Sequence, residues 1–104
     1  MAKQYHKLIR DKIPAIIAAT GKTCRTEVAE DPIYLQLLDE KLCEELAEYR
    51  ESKSLEELAD LLEVMEAVVT ARGYSWEQLQ TVKAEKKAAR GGFAEKLLLR
   101  EVSE

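Results

Sequence analysis

The chain has few of the residues that break helices or cross-link small folds. Its 104 residues include two Pro, four Gly, two Cys and one His, and aromatic residues make up 6% of the total. Scarce Pro and Gly beside abundant Leu, Ala, Glu and Lys indicate a helical protein. A single His, and two Cys that lack metal-type spacing, argue against a zinc site. We expect Cys24 and Cys43 to be unpaired, partly buried thiols in a reducing cytoplasm.

Long apolar runs are also missing. No stretch approaches the roughly 20 apolar residues needed to cross a bilayer. Charged residues recur throughout residues 1–12, a pattern unlike that of a secretory signal. A chain of this length supports one modest core. We therefore expect a single cytoplasmic domain over residues 1–104 with no membrane partner.

The net charge of −4 conceals a segregation of acidic and basic residues. Residues 39–66 hold eleven acidic against three basic residues, whereas residues 83–100 hold six basic against two acidic. Residues 3–12 add four basic residues against one acidic residue. A stable nucleic-acid partner is not expected, because it requires a net basic face. Two interpretations stay open: a site that holds a divalent cation with a polyanion, or complementary segments that neutralise each other.

Signals for the start and end of four helices recur along the chain. Each start combines a capping side chain or Pro with an apolar stripe, and most ends coincide with Gly. The predicted helices run from Asp11, with Pro14 in the first turn, to Gly21; from Asp31-Pro32 to about Glu51; from the Ser54 cap to about Arg72; and from Ser75, with Gln78 as capping-box partner, to about Arg90. Short connections make neighbouring helices antiparallel.

The fold expected from these signals is an all-α four-helix bundle that is completed by oligomerisation. Two further segments have some β character. Residues 22–29 alternate weakly and contain Thr and Val, and the tail after the Gly pair is β-tolerant. A short two-stranded ribbon of residues 22–29 with residues 93–102 is therefore part of this expectation.

Four carboxylates of the second and third helices are predicted to face each other. With an advance of about 100° per residue, Glu45 and Glu48 lie beside one apolar stripe, and Glu57 and Asp60 lie within or beside the other. Glu44 points away. Folding the two helices back about the short turn brings the four carboxylates to one level. Because burying like charges together is costly, the pattern predicts a hard cation such as Mg²⁺ between them.

Other interpretations of these acids remain open. Glu57 lies three residues after Ser54, so its carboxylate can cap the Ser54 amide. Glu45 and Glu48 can be solvated acids that pair with Lys41 or Arg50 at helical spacing. The chain would then be a non-enzymatic helical oligomerisation or regulatory module. The inward placement of Glu45 and Glu57 favours the metal site.

The same residues carry a resemblance to a known family. Glu44-Glu45-x-x-Glu48 and the later Glu57-x-x-Asp60 resemble the EExxE…ExxD signature of the MazG-like all-α nucleoside triphosphate pyrophosphatases, and the preceding Lys41 fits the same pattern. The stretch YHKLIRDKIPAII and the later RGGF resemble a small branch similar to phosphoribosyl-ATP pyrophosphohydrolases. Eight residues separate Glu48 from Glu57, fewer than in many members, and this difference bears on the choice of substrate.

The resemblance implies a Mg²⁺-dependent hydrolase, with Mn²⁺ as a substitute, that cleaves between the α and β phosphates of a nucleotide. It releases a monophosphate and pyrophosphate, a reaction suited to removing unwanted nucleotides. Carried over by motif, the metal ligands are Glu45, Glu48, Glu57 and Asp60, and Glu44 orients or deprotonates the attacking water. Members of the family are dimers or dimers of dimers. The alternative substrate is phosphoribosyl-ATP, in histidine biosynthesis.

Such a reaction also needs cations for the substrate phosphates. Basic residues recur on neighbouring turns of the fourth helix, and others lie near the N-terminus and beside the acid motif. The candidates for phosphate binding are Lys83, Lys86, Lys87, Arg90, Lys41, Lys7, Arg10 and Lys12. Lys87 and Arg90 are the best placed on the fourth helix, because they directly precede the Gly pair. Candidates for stacking on a base are Trp76, Tyr5 and Tyr34, for each of which core packing is the simpler interpretation.

Overall fold

Four helices form all the regular secondary structure in the computed structural model, which describes residues 2–104. In chain order they are α1 (Ile13–Ala19), α2 (Asp31–Ser52), α3 (Leu55–Ala71) and α4 (Trp76–Arg90). The predicted all-α class and the number of helices are confirmed. None of the helices within residues 2–104 combines the length and the apolar content that a bilayer crossing requires.

The starts of α3 and α4 follow the capping residues in the sequence. The Ser54 hydroxyl accepts a hydrogen bond from the Glu57 amide at 3.2 Å. Ser75 and Gln78 form a reciprocal capping box, in which the Ser75 amide donates to Gln78 Oε1 at 2.7 Å and the Gln78 amide donates to Ser75 Oγ at 3.1 Å. Gly73 follows α3 with a φ of 87°, a backbone conformation that glycine adopts at no steric cost. These boundaries confirm the predicted ones.

The starts of α1 and α2 differ from the prediction. Lys12 and Glu30 occupy the N-cap positions, and neither helix has a side-chain cap hydrogen bond. Asp31 is instead the first residue of α2, where its negative charge lies at the positive end of the helix dipole. Asp11 precedes the N-cap of α1. The two acids therefore do not cap these helices, although α2 starts where the sequence predicted.

The predicted ribbon of residues 22–29 with residues 93–102 is wrong. Neither segment contains a strand, and nearly all of their residues are exposed. Val28 is 96% exposed and Phe93 is 98% exposed. A two-stranded ribbon is marginally stable in water unless it packs on another element. Here neither segment has a buried face, so β-tolerant residues alone do not form the ribbon.

The two thiols also differ in part from expectation. Cys24 and Cys43 are free, as predicted, but both are exposed rather than partly buried. Cys24 lies in the largely exposed segment that connects α1 to α2, and Cys43 lies at an exposed position of α2.

The centre of the fold is an antiparallel hairpin of α2 and α3. Lys53 adopts the left-handed conformation, with φ 59° and ψ 22°, and turns the chain sharply between the two helices. α4 contacts α3, whereas the Cα atoms of α1 lie more than 8 Å from those of every other helix. Among residues 2–104, Leu38 is the only buried hydrophobic residue, at 4% exposure, and Glu45 is the only buried charged one, at 7%.

A large apolar surface of the hairpin is uncovered. The described chain exposes 9850 Å², whereas a compact monomer of this mass exposes about 5,900 Å². On α3 the exposed residues form a stripe at alternating spacings of three and four, consisting of Leu55, Leu58, Leu62 and Met65. This spacing is that of the seam between paired helices in a coiled coil. We call these four residues the α3 seam.

Replacement of Ser75 by Ala removes the hydroxyl that accepts from the Gln78 amide at the start of α4. We expect Ser75→Ala to lower the free energy of unfolding by about 1 kcal/mol, measured by urea titration followed by circular dichroism. Ser103→Ala, in the exposed tail, is the control and should match the parent. Equal midpoints for Ser75→Ala and the parent would contradict the cap.

Candidate metal site

Three carboxylates meet on the inner side of the hairpin. Glu45 of α2 and Glu57 and Asp60 of α3 each present one oxygen, and these three oxygens lie within 4.8 Å of one another. Glu45 is buried, and the other two residues are partly buried. We call these three residues the acidic cluster.

The helical register and the short turn produce this arrangement. Glu57 and Asp60 are three residues apart, so they lie on the same face of α3. Only Lys53 and Ser54 separate α2 from α3. Glu45 precedes this turn by about the same length of helix as Asp60 follows it. The hairpin therefore brings these residues to one level, as the sequence predicted.

The capping interpretation of Glu57 does not hold in the structure. Ser54 accepts from the Glu57 amide, but the Ser54 amide donates to the Ser52 hydroxyl at 3.2 Å. The Glu57 carboxylate is therefore not used to close a capping box. Its Oε2 atom is buried and has no hydrogen-bond partner among residues 2–104.

Glu45 is only partly neutralised. Lys41 Nζ lies 3.5 Å from Glu45 Oε1, a pairing at helical spacing that the sequence allowed. Glu45 is nevertheless not solvated, because only 9% of its side chain is exposed. Its second oxygen, Oε2, is buried and has no partner within the described chain. Glu45 and Glu57, two residues of the acidic cluster, thus each have a buried carboxylate oxygen without a donor, which is costly unless a cation or a proton satisfies it.

The pKa of Glu57 is raised by burial and by these neighbouring carboxylates. Burial, the negative charge of Glu48, and contacts with Glu45 and Glu48 raise the pKa of Glu57 from its ordinary 4.5 to about 7. At neutral pH, in the absence of a metal ion, Glu57 is therefore often protonated. A proton takes the place that a cation would fill.

Glu48 lies at the edge of the acidic cluster. It is close enough to Glu57 to raise the pKa of that residue, but Glu48 itself is exposed. Glu48 does not belong to the set of three oxygens within 4.8 Å. Of the four ligands predicted from the sequence, the structure brings three together and leaves the fourth at the rim.

Glu44 lies outside the cluster and is occupied by lysines. Its Oε2 is 3.0 Å from Lys41 Nζ and its Oε1 is 3.6 Å from Lys7 Nζ. Partial burial acts to raise the pKa of Glu44, but the hydrogen bond and charge of Lys41, and then those of Lys7, outweigh it and lower the pKa. Burial acts to lower the pKa of Lys41, and Glu44 and Glu45 outweigh it and raise that pKa. The water-activating role of Glu44 stays a prediction.

The basic candidates divide into two groups. Arg10 Nη2 lies 2.7 Å from Asp60 Oδ1, and Lys7 contacts Glu44, so these two residues face acids of the hairpin. The candidates on α4 (Lys83, Lys86, Lys87 and Arg90) are exposed and form no ion pair within residues 2–104, and the same holds for Lys12. The pairing of Arg10 with Asp60 was missed at the sequence level. The two residues are 50 positions apart, and the sequence near Arg10 does not indicate where that segment lies relative to α3.

The aromatic candidates are dispersed. Tyr5 is 67% exposed, with the ammonium groups of Lys3 and Lys7 at 5.4 and 5.5 Å from its ring centre. Tyr34 lines an open groove with residues of the second half of α3, and Trp76 is partly buried at the start of α4. None of the three belongs to the acidic cluster, so base stacking stays a prediction.

The acidic cluster fits a hard divalent cation. Oxygens that share Mg²⁺ at about 2.1 Å lie at most about 4.2 Å apart. The three oxygens here are within 4.8 Å of one another, so a small inward shift of the side chains would bring them to the spacing that the ion requires. Glu45 and Glu57 each have a buried oxygen without a partner, and a bound cation would compensate the negative charge of these carboxylates. Carboxylates are also the ligand type that Mg²⁺ and Mn²⁺ prefer.

Comparison of the chain with models of known protein families, with curated proteins and with solved structures finds no match.

The raised pKa of Glu57 predicts how the metal-free protein responds to pH. The folded protein binds the Glu57 proton more tightly than the unfolded chain does, so stability is lost as pH rises from 4.5 through about 7. In EDTA we expect a lower melting temperature at pH 8 than at pH 6.

The Glu57→Gln variant provides the control for this prediction, because the amide does not titrate. We expect the difference in melting temperature between pH 6 and pH 8 to be smaller in Glu57→Gln than in the parent. A difference of the same size in both proteins would show that other groups cause it.

Proposed function

We propose that this protein is a Mg²⁺-dependent nucleoside triphosphate pyrophosphohydrolase. The observation that carries the proposal is the acidic cluster, in which three carboxylate oxygens lie within 4.8 Å and two buried oxygens have no partner in the described chain. The choice of a nucleotide over other anions rests on the resemblance of the acid motifs to the MazG-like signature. A cytoplasmic location suits such a substrate and the free thiols.

In this proposal the acidic cluster holds the cation, and Glu48 is a ligand at its exposed edge. Mn²⁺ can replace Mg²⁺, because both accept carboxylate oxygens. When bound, the ion supplies charge neutralisation of the phosphate oxygens and Lewis-acid activation of water. The chain itself supplies fixed carboxylates on two rigid helices, which need little rearrangement to hold it.

The proposed reaction is a hydrolysis. The oxygen of water forms a bond to the α phosphorus, and the bond from that phosphorus to the bridging oxygen breaks. Pyrophosphate leaves with the bonding electron pair, and the water loses a proton. Glu44 is proposed to orient the water or accept this proton. Its lowered pKa makes it a weak base, which suits orientation better than proton transfer.

The substrate phosphates would be bound by basic residues around the cluster. Lys41 has the strongest support, because its ammonium group lies 3.5 Å from Glu45 and its side chain is only 17% exposed. Lys83, Lys87 and Arg90 form a basic face on α4 that no acid of the described chain neutralises. That face is free for phosphate contacts from the same or a neighbouring chain.

We also propose that the hairpin is completed by a second copy of the chain, as a dimer or a dimer of dimers. The α3 seam supports this, since its four large apolar residues are between 39% and 81% exposed. The radius of gyration of 18.5 Å exceeds the roughly 13 Å expected for a compact domain of this length. A partner hairpin packed on the seam would bury this surface.

Activity is tested by measuring pyrophosphate release from a panel of nucleoside triphosphates with Mg²⁺. We expect Glu45→Gln and Asp60→Asn to lower the rate by about 100-fold or more, since each removes a ligand charge. Glu56→Gln is the matched control. Glu56 is an exposed glutamate of the same helix, next to Glu57, and this variant should retain parental activity.

The outcome also separates the alternative functions. Variants that hydrolyse as fast as the parent would contradict the assigned site. Preferential cleavage of phosphoribosyl-ATP would place the enzyme in histidine biosynthesis. No hydrolysis, with a melting temperature unchanged by Mg²⁺, would favour a non-enzymatic helical module.

The oligomer is tested by sedimentation velocity. We expect the parent to sediment as a dimer or larger species, and Leu62→Glu to sediment as a monomer, because a charge in the α3 seam is costly to bury. Leu99→Glu, at a position that is 79% exposed in the tail, introduces the same change and should behave like the parent. A parent that remains monomeric at high concentration would exclude the proposed dimer.

A further inference from the structure

The segment before α1 is attached to both helices of the central hairpin. We call residues 2–12 the N-terminal arm. Its Lys7 pairs with Glu44 of α2 at 3.6 Å, and its Arg10 pairs with Asp60 of α3 at 2.7 Å. The arm contains no helix or strand, so these charge contacts, rather than backbone pairing, connect it to the hairpin.

Arg10 contacts a carboxylate that belongs to the acidic cluster. Asp60 contributes one of the three clustered oxygens, and its only side-chain partner within residues 2–104 is the Arg10 guanidinium. A divalent ion at the cluster and the Arg10 guanidinium would therefore compete for the Asp60 carboxylate. They would also repel each other, because both are positively charged and would contact the same carboxylate.

The ion pair is weak enough to be exchanged. The side chains are 56% exposed for Arg10 and 38% exposed for Asp60, and exposed pairs of this kind contribute a preference of about fivefold at most. A divalent ion has twice the charge and three carboxylates to hold it. The guanidinium, once displaced, remains on a short arm beside the site. Its planar fork matches phosphate oxygens as well as it matches a carboxylate.

We propose that a divalent ion displaces the Arg10 guanidinium from Asp60 when it binds to the acidic cluster. The displaced guanidinium then binds the phosphates of the ligand. This inference rests on the proposed function and adds the order in which the metal ion and the anion bind. Metal binding frees Arg10, and Arg10 then contributes to anion binding. The N-terminal arm is thus a positioning element that couples the two binding events.

The first test uses Mn²⁺ alone, with binding measured by isothermal titration calorimetry. We expect Arg10→Gln to bind Mn²⁺ about two- to fivefold more tightly than the parent, because the competing cation is gone. Arg10→Lys keeps the charge and should stay close to the parent. Because Arg10 is exposed, both variants should fold, as checked by circular dichroism.

Arg72→Gln is the matched control. Arg72 Nη2 pairs with Asp39 Oδ2 at 2.9 Å in an equally exposed arginine–aspartate pair between α2 and the end of α3. That pair lies far along the hairpin from the acidic cluster, since Arg72 is twelve residues from Asp60, or about 18 Å of helix. The variant makes the same change in net charge and should leave Mn²⁺ affinity unchanged.

The second test uses inorganic triphosphate in saturating Mg²⁺. We expect Arg10→Gln to bind triphosphate about tenfold or more weakly, as the loss of a charged hydrogen bond to phosphate predicts. The opposite directions of the two effects, tighter metal and weaker anion, distinguish exchange from a general structural defect, which would weaken both.

Three outcomes would overturn the inference. These are unchanged or weaker Mn²⁺ binding by Arg10→Gln, an equal gain in Arg72→Gln, and triphosphate affinity that does not change. The outcomes also separate this inference from the proposed function. If the parent hydrolyses nucleotides but Arg10→Gln binds Mn²⁺ like the parent, only the exchange fails. If no nucleotide is hydrolysed but both shifts occur, only the assigned reaction fails.

Discussion

Glu45 is the only charged residue buried among residues 2–104, and the hairpin is arranged around it. One of its oxygens has the Lys41 ammonium as a partner, while the other is buried and has no partner within the described chain. Its carboxylate lies beside those of Glu57 and Asp60 across the helix interface. A buried carboxylate without a partner is among the most costly features a small fold can have. The raised pKa of Glu57 reduces the negative charge beside it in the metal-free protein, and a cation would neutralise that charge more fully.

The helix α3 has two roles on adjacent faces. Glu57 and Asp60 face α2, whereas the α3 seam faces solvent in the single chain. Neighbouring residues on a helix differ by about 100° in direction, so Glu57 can face α2 while the adjacent Leu58 faces solvent. Residues 2–104 contain one buried apolar residue, Leu38. With so small a core, the single chain would rely on the acidic cluster and on a packed seam to hold the hairpin together.

Local signals were sufficient for much of this. The serines at 54 and 75 predicted the starts of α3 and α4, and helical projection predicted that Glu45, Glu57 and Asp60 meet across the turn. Features that depend on tertiary placement were not predictable. The pairing of Arg10 with Asp60 joins residues 50 apart. The ribbon of residues 22–29 with residues 93–102 failed because β-tolerant residues need a surface to pack on. The exposure of Glu48 depends on how closely α2 and α3 approach near the turn.

The turn between α2 and α3 consists of Lys53 and Ser54, with Lys53 in a left-handed conformation. Loops are usually where proteins accept inserted residues most readily. Here an added residue that extended α3 at its start would rotate the remainder of that helix by about 100°. Glu57 and Asp60 would leave the interface, and Glu56 and Ala59 would take their places. The length of a two-residue loop therefore determines how many carboxylates of α3 face Glu45, so this turn is far less free to vary in length than an ordinary surface loop.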